Sequence, residues 1–199
     1  MSLSMAAGIL AVGLTLYLGA AALISTFCLL LSPLPLLVFS TYPYMKRFTI
    51  LAHFGVGLGL AMAPLGGWFA ITQSFENPFP IVLLSLFTLS WVAGFDVIYS
   101  TLDELFDRET NLYSFSSRFG KAKALKISGY LHAVSFLILG MLFVIHIRAL
   151  AALPLLGLSG YLLYLEHKKA EDVELAFFRI NAILGFCVFG MVVVGVYFP

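Results

Sequence analysis

The sequence predicts an all-α membrane protein whose residues 1–199 form one domain. Hydrophobic residues make up 61% of the chain and charged residues only 11%, whereas a soluble domain has about 25% charged residues. Apolar stretches recur along the whole chain, and no polar stretch between them is long enough to fold by itself. The net charge of +1 gives no sign of nucleic-acid binding, and we expect none.

Seven stretches are predicted transmembrane helices, because a helix needs about 20 apolar residues to cross the bilayer core. They lie near residues 4–24, 26–40, 50–72, 79–98, 127–147, 149–165 and 178–198. The second and sixth are short, and Pro33, Pro35 and Pro154 predict kinks or helix starts within them. The first has no basic region before it and no small-residue cleavage site, so we interpret it as a span and not a signal peptide.

The basic residues predict how the helices are oriented. Loops after even-numbered spans share one side of the membrane, and every Lys and Arg except Arg148 falls in those loops. The positive-inside rule makes that side cytoplasmic, in a bacterial-type inner membrane. All acidic residues except Glu76 fall there too. We therefore expect the functional site at the cytoplasmic end.

An acidic stretch, DVIYSTLDELFDRE, follows the fourth span at residues 96–109. If the helix continued past the span, Asp96, Tyr99, Asp103 and Asp107 would share a stripe about 80° wide. Carboxylates without His or Cys companions suit Mg²⁺, which commonly completes its shell with substrate phosphate oxygens. The pattern predicts a magnesium and diphosphate site.

A plainer alternative is a solvated helix face whose acids pair with Arg108 or Arg118. Glu104 and Arg108, four residues apart, are predicted to form an ordinary surface ion pair. YPYMKRFT, residues 42–49, places Lys46 and Arg47 on the same side as the acids. Lys and Arg suit phosphate oxygens, although a basic pair at a helix end also serves as a membrane anchor.

Three segments carry a resemblance to a known family: YPYMKRFT (42–49), DVIYSTLDELFD (96–107) and NLYSFSSRFGKAKAL (111–125). They resemble the UbiA-type intramembrane aromatic prenyltransferases, especially the branch similar to 4-hydroxybenzoate polyprenyltransferases. The resemblance implies a nine-helix bundle around a cavity open to lipid, with cytoplasmic caps. It also implies that two Asp-rich motifs hold Mg²⁺ on a polyprenyl diphosphate.

By the same resemblance, Asp96, Asp103 and Asp107 are the metal ligands and act catalytically with Tyr99. Lys46 and Arg47 match the segment that contacts the diphosphate, and Arg118, in a cap-like loop, is predicted to bind the diphosphate too. The implied reaction transfers a polyprenyl group to an aromatic acceptor in ubiquinone or menaquinone biosynthesis. The acceptor stays open between 4-hydroxybenzoate and a naphthoate-type precursor.

The first family motif, N-x3-D-x3-D, does not occur in this sequence. We therefore expect a chain that lacks the first two helices, and the alternative function is a non-catalytic homologue that binds prenyl diphosphate or has lost the site. A CDP-alcohol phosphotransferase is disfavoured because DG-x2-AR is absent. A transporter is disfavoured because the polar residues gather at one end.

The remaining polar and small residues are predicted to have mainly structural roles. His53 and His132 are expected to form interhelical hydrogen bonds, and Asn181 to do so or to line the cavity. Close helix packing is predicted at Gly55 and Gly59. Small buried hydrophobic roles are predicted for Cys28 and Cys187.

Overall fold

The computed structural model describes residues 2–172 and 175–198, which fold into helices joined by short connections. Its α-helices are α1 (Leu3–Ile24), α2 (Thr26–Leu31), α3 (Pro33–Met45), α4 (Ala52–Thr72), α5 (Phe79–Ser100), α6 (Glu104–Glu109), α7 (Phe115–Phe119), α8 (Lys121–Leu142), α9 (Leu153–Lys168) and α10 (Asn181–Tyr197). One π-helical turn, Phe143–Ile147, extends α8, and another, Leu175–Ile180, precedes α10. The described residues contain no strand, so the all-α prediction is confirmed.

Six described segments are long and apolar enough to cross a membrane, namely Leu3–Ile24, Thr26–Met45, Ala52–Thr72, Phe79–Ser100, Lys121–Ile147 and Phe178–Tyr197. The sixth predicted span forms α9, which has only 16 residues. At about 1.5 Å per residue this helix is shorter than the hydrocarbon core, in agreement with the short span expected there.

Two of the three prolines that were predicted to cause kinks or helix starts lie at the beginning of a helix. Pro33 begins α3, and Pro154 lies in the first turn of α9, where a missing N–H costs little. Ser25 separates α1 from α2, because its N–H donates to the Ala21 carbonyl and its hydroxyl accepts from the Cys28 N–H. The second span consists of two helices in sequence, α2 and α3, which meet at Ser32.

Helix α5 lies between α4 and α8 and makes extensive contacts with both. Its inward residues join the largest hydrophobic cluster, in which Phe87, Leu139, Leu184 and Met191 are almost completely buried. This cluster is built by α5, α8, α9 and α10, whereas Ala21 is the one buried residue of α1. The polar end of α5 is thus held by a rigid part of the molecule.

Glycines bring α4 close to its neighbours, as predicted for Gly55 and Gly59. A Cβ on Gly55 would lie 2.6 Å from the Met45 Sδ, and one on Gly57 would lie 2.5 Å from the backbone oxygen of Leu89 in α5. The close approach of α4 to α5 therefore depends on Gly57. Cys187 is buried and Cys28 is half-buried, and both are free thiols.

The short helices α6 and α7 cover the end of the bundle between α5 and α8. Ser114 and Ser117 form a reciprocal capping box at the start of α7. Gly120 then turns the chain into α8 with φ 82°, a conformation that favours glycine. This cap contains most of the acidic stretch.

Candidate functional site

Helix α5 does not continue through the acidic stretch, so the expectation of one unbroken helical stripe is wrong. The helix ends at Ser100, and the next N–H groups donate to carbonyls three residues back: Leu102 to Tyr99 at 3.0 Å and Asp103 to Ser100 at 3.1 Å. The Ser100 and Thr101 hydroxyls also bond backbone carbonyls, at 2.8 Å each, and such bonds compete with helix continuation. Asp96 therefore lies on α5, whereas Asp103 immediately precedes α6 and Asp107 lies within it.

Lys46, Asp103 and Asp107 form an ionic cluster at this end of the molecule, and we call it the Lys46 cluster. The Lys46 Nζ donates to the Asp107 Oδ2 at 3.3 Å and lies 3.9 Å from the Asp103 Oδ2. The Asp107 side chain is 2% exposed, whereas those of Lys46 and Asp103 are 31% and 42% exposed. One cation thus joins a buried and an accessible carboxylate.

Backbone hydrogen bonds hold the Lys46 cluster together. The Tyr113 N–H donates to the Lys46 carbonyl at 2.7 Å, and the Leu112 N–H donates to the Asp107 carbonyl at 2.7 Å. The loop after α6 therefore connects the end of α3 directly to the acidic helix. Lys46 reaches the aspartates because of this connection, although 61 residues separate it from Asp107 in the sequence.

Asp96 has a different partner, His53 on α4. The His53 Nδ1 lies 2.6 Å from the Asp96 Oδ2, and the imidazole is fully buried. The His53 Nε2 accepts from the Phe115 N–H at 3.4 Å, and the two rings stack at 5.4 Å. Because Nε2 accepts, Nδ1 carries the proton and donates to the carboxylate. The predicted interhelical role of His53 is confirmed, with α4, α5 and α7 joined at one ring.

The other predicted site residues lie in more exposed positions. Tyr99 is 37% exposed on α5. The Arg47 guanidinium is exposed and stacks over the Tyr44 ring, 5.3 Å from its centroid. Arg118 is exposed on α7 and forms no ion pair with any residue that the structure describes. Neither arginine joins the Lys46 cluster.

The acids are not neutralised by arginines, which was the plainer alternative. Arg108 instead pairs with Glu104 at 2.8 Å, as predicted, and the other oxygen of Glu104 accepts from the Lys121 N–H at 3.0 Å. Glu104 therefore caps α8 and pairs with Arg108. Asp103 and Asp107 have only the lysine as a cationic partner among the described residues.

The described ranges 2–172 and 175–198 contain no group of three or more His, Cys, Asp or Glu residues that could hold a metal ion. Asp96, Asp103 and Asp107 are thus not brought together as one ligand set. Asp103 and Asp107 do approach the same ammonium group, so a cation can occupy the space between them. Two carboxylates fit Mg²⁺, which protein sites commonly hold through one or two carboxylates plus waters and substrate phosphates.

A second group of buried polar residues includes one that was not predicted, Glu166. Its side chain is fully buried on α9, where its Oε1 accepts from the Asn181 Nδ2 at 3.1 Å, and the Asn181 Oδ1 accepts from the Trp91 Nε1 at 2.8 Å. Asn181 therefore forms interhelical bonds, one of its two predicted roles. The sequence signal for Glu166 is the spacing Ser159, Leu162, Leu163, Glu166, which is the buried face of a helix.

Comparisons with known proteins agree with this architecture. A model of the UbiA prenyltransferase family matches residues 1–183. The solved apo structure of a UbiA homolog from Aeropyrum pernix K1 superimposes with a TM-score of 0.83 at 29% identity, over 98% of this chain and 73% of that one.

Two curated relatives are named as 4-hydroxybenzoate prenyltransferases. The mitochondrial 4-hydroxybenzoate polyprenyltransferase of Homo sapiens is 31% identical over 92% of this chain and 50% of its own. The 4-hydroxybenzoate octaprenyltransferase of Haemophilus ducreyi is 25% identical over 87% of this chain and 63% of its own. This chain therefore spans about half to two thirds of the length of these two relatives. The family match over nearly the whole sequence and the matching fold together show that the chain is an integral membrane protein that belongs to the UbiA prenyltransferase family.

Proposed function

We propose that the Lys46 cluster binds the diphosphate of a polyprenyl diphosphate with Mg²⁺, and that the chain takes part in transferring the prenyl group to an aromatic acceptor. The observation that supports this most strongly is the meeting of Lys46, Asp103 and Asp107 at the polar end of a membrane bundle. Asp103 and Asp107 are the two residues that would hold the metal. Bound there, Mg²⁺ supplies positive charge against the leaving diphosphate.

Lys46 has two tasks in this proposal. Without ligand it neutralises Asp107, whose burial would otherwise be costly. With diphosphate bound, its ammonium group turns to a phosphate oxygen and stabilises the charge that develops as the bond to the allylic carbon breaks. Arg47 and Arg118 lie outside the cluster and are exposed, and we propose that they turn toward the diphosphate only when it is bound.

The transfer step is balanced by the departure of one proton. The carbon–oxygen bond of the allylic diphosphate breaks and the electron pair leaves with the diphosphate. A ring carbon of the acceptor forms the new carbon–carbon bond, and the ring proton is then lost. Apolar surroundings keep water from the allylic cation, and the Tyr99 ring offers a π face near Asp96.

The acceptor is proposed to be 4-hydroxybenzoate in quinone biosynthesis, because the human and Haemophilus relatives carry that name. A naphthoate-type precursor of menaquinone is the second candidate. A transfer assay with both acceptors in one mixture distinguishes them, and we expect the prenylated benzoate to dominate. The cluster is proposed to face the cytoplasm of a bacterial-type inner membrane, since the basic residues concentrate at that end.

The test is prenyl transfer in membranes that contain the whole natural protein. Asp103→Ala and Asp107→Ala should each lower turnover at least about a hundredfold, a loss typical of a missing electrostatic group, and chelation of Mg²⁺ should abolish it. Glu109→Ala is the matched control, because Glu109 is an exposed acid on the same helix. Unchanged turnover in either aspartate variant, with all proteins inserted at equal levels, rejects the proposal.

A non-catalytic role is the second candidate, and one finding favours it: the described residues present two converging carboxylates and no group of three metal ligands. Such a protein would bind prenyl diphosphate with Mg²⁺ and release it unchanged. Binding without product, under conditions where a known relative turns over, identifies this outcome.

A further inference from the structure

A second polar cavity lies between α8 and α9, outside the Lys46 cluster. Its volume is about 370 Å³, within the range of small-molecule sites. His132 and His167 supply the polar lining, and Phe136, Leu163 and Tyr164 supply apolar and aromatic walls. Gly157 and Tyr164 are exposed, so the cavity opens toward the outside of the bundle.

Polar atoms in and beside this cavity lack a hydrogen-bond partner of good geometry among the described residues. They are both ring nitrogens of His132, the Nδ1 of His167 and the Oε2 of Glu166. His132 is 3% exposed and Glu166 is fully buried. A buried polar group without a partner is destabilising, so this concentration of such groups indicates a ligand that pairs with them.

The groups are held in place by contacts on their far side. Trp91, Asn181 and Glu166 form a hydrogen-bonded chain that engages one carboxylate oxygen and leaves the other 3.8 Å from the His132 Nε2. On the other side, a Cβ at Gly129 would lie 3.0 Å from the His167 Cε1, so the glycine admits that ring. The polar end of the cavity is thus preformed.

We propose that this cavity binds a neutral oxygen-bearing six-membered ring, the head of a quinone or phenol dissolved in the membrane. His132 and His167 can donate to or accept from its oxygens, and Phe136 and Tyr164 can stack on its faces. No Lys or Arg is among the described residues that line the cavity, so a carboxylate would be desolvated there without a cationic partner, which disfavours an aromatic acid. The inference does not rest on the proposed function, because it concerns binding alone.

Other occupants account for only part of the arrangement. A lipid acyl chain would leave the imidazole nitrogens unpaired. Water would pair them, but at about 30 Å³ per molecule the cavity has room for about a dozen waters, and four polar atoms anchor only a few.

The fluorescence of Trp91 can report binding directly, because its Nε1 donates to Asn181, which in turn donates to Glu166 beside the cavity. The sequence has two tryptophans, and the Nε1 of the other, Trp68, has no hydrogen-bond partner in the described part of the chain. In Trp68→Phe, duroquinone, a neutral methylated benzoquinone, should quench Trp91 fluorescence along a saturable curve. The full-length protein is titrated in detergent, and 4-hydroxybenzoate should bind about tenfold more weakly or not at all.

Gly157→Leu is the decisive variant, since Gly157 lines the cavity and a Cβ there meets nothing within 4 Å, so the larger side chain should occupy part of the cavity. It should weaken duroquinone binding at least about tenfold. Gly140→Leu on α8 is the control, because it is equally unobstructed and does not line the cavity. His132→Phe should weaken binding similarly.

Linear quenching that is identical in all variants overturns the proposal and leaves a water-filled cavity. Saturable quenching that Gly157→Leu does not change also overturns it, because the ligand then binds elsewhere. If 4-hydroxybenzoate binds as tightly as duroquinone in a Gly157-dependent manner, the assignment of a neutral ring is wrong.

Discussion

Lys46 is the single residue on which the site depends most, because its one ammonium group neutralises both a buried and an accessible carboxylate. Removing one partner of a buried ion pair costs about 3–5 kcal/mol, and the partial exposure of Lys46 places this pair at the lower end. Lys46→Met should therefore lower the thermal midpoint in detergent. Lys46→Met combined with Asp107→Asn should recover part of that loss, since no unpaired charge remains.

Additive losses in this pair of variants would contradict the Lys46–Asp107 contact. Lys123→Met, an exposed lysine on α8, is the control and should leave the midpoint nearly unchanged.

His53 is a positioning residue for Asp96, since it donates to the carboxylate and accepts from the cap at Phe115. His53→Leu removes both bonds, whereas His53→Gln keeps a donor within reach of Asp96. If Asp96 contributes to the site, His53→Leu should raise the Mg²⁺ concentration needed for half-maximal transfer about tenfold, and His53→Gln should restore most of it. A loss confined to protein yield, with unchanged Mg²⁺ dependence in the protein that folds, assigns His53 a purely structural role.

At this scale the sequence predicted residue types better than pairings. It placed Lys46 and the aspartates at the same end, because charge patterning reports the side of the membrane. It did not predict that Lys46 joins Asp107 or that His53 joins Asp96, since 61 and 43 residues separate these partners and no local spacing records such contacts. Glu166 was predicted to lie at the polar cytoplasmic end with the other acids, although its spacing from Ser159, Leu162 and Leu163 indicates the buried face of a helix.

At the scale of elements, the approach of α4 to α5 sets the distance between His53 and Asp96. Gly57→Ala would place a Cβ 2.5 Å from the Leu89 backbone oxygen, so the helices must separate. Overpacking of this kind costs about 1–3 kcal/mol, and we expect a lower thermal midpoint and reduced transfer. Gly67→Ala on the same helix meets nothing within 4 Å and should be neutral or stabilising.

Helix existence was predictable from apolar length, whereas the end of α5 was not. Asp96, Asp103 and Asp107 keep a helical spacing, so the prediction continued the helix through them. It gave too little weight to Ser100 and Thr101, whose hydroxyls can end a helix by bonding backbone carbonyls. Their hydroxyls bond the carbonyls of Val97 and Ile98, and the chain then turns into a separate short helix. The break gives Asp103 and Asp107 a common lysine partner and leaves Asp96 to His53.

The whole molecule is predicted to have one polar end on the cytoplasmic side. With Cys28 and Cys187 replaced by Ala, Glu109→Cys reports on the cap and Glu76→Cys on the opposite end, both at exposed positions. A membrane-impermeant thiol reagent applied to intact cells should label Glu76→Cys and reach Glu109→Cys only after lysis. The reverse pattern would invert the orientation inferred from the basic residues.

The central claim is that Asp103, Asp107 and Lys46 hold a prenyl diphosphate together with Mg²⁺. The most direct measurement is equilibrium binding of radiolabelled geranyl diphosphate to the full-length protein, with Mg²⁺ and with chelator. The account predicts Mg²⁺-dependent binding that weakens at least about tenfold in Asp103→Asn, Asp107→Asn and Lys46→Met, and that stays unchanged in Glu109→Gln. Equal affinity in wild type and all three cluster variants, or binding indifferent to Mg²⁺, would contradict it.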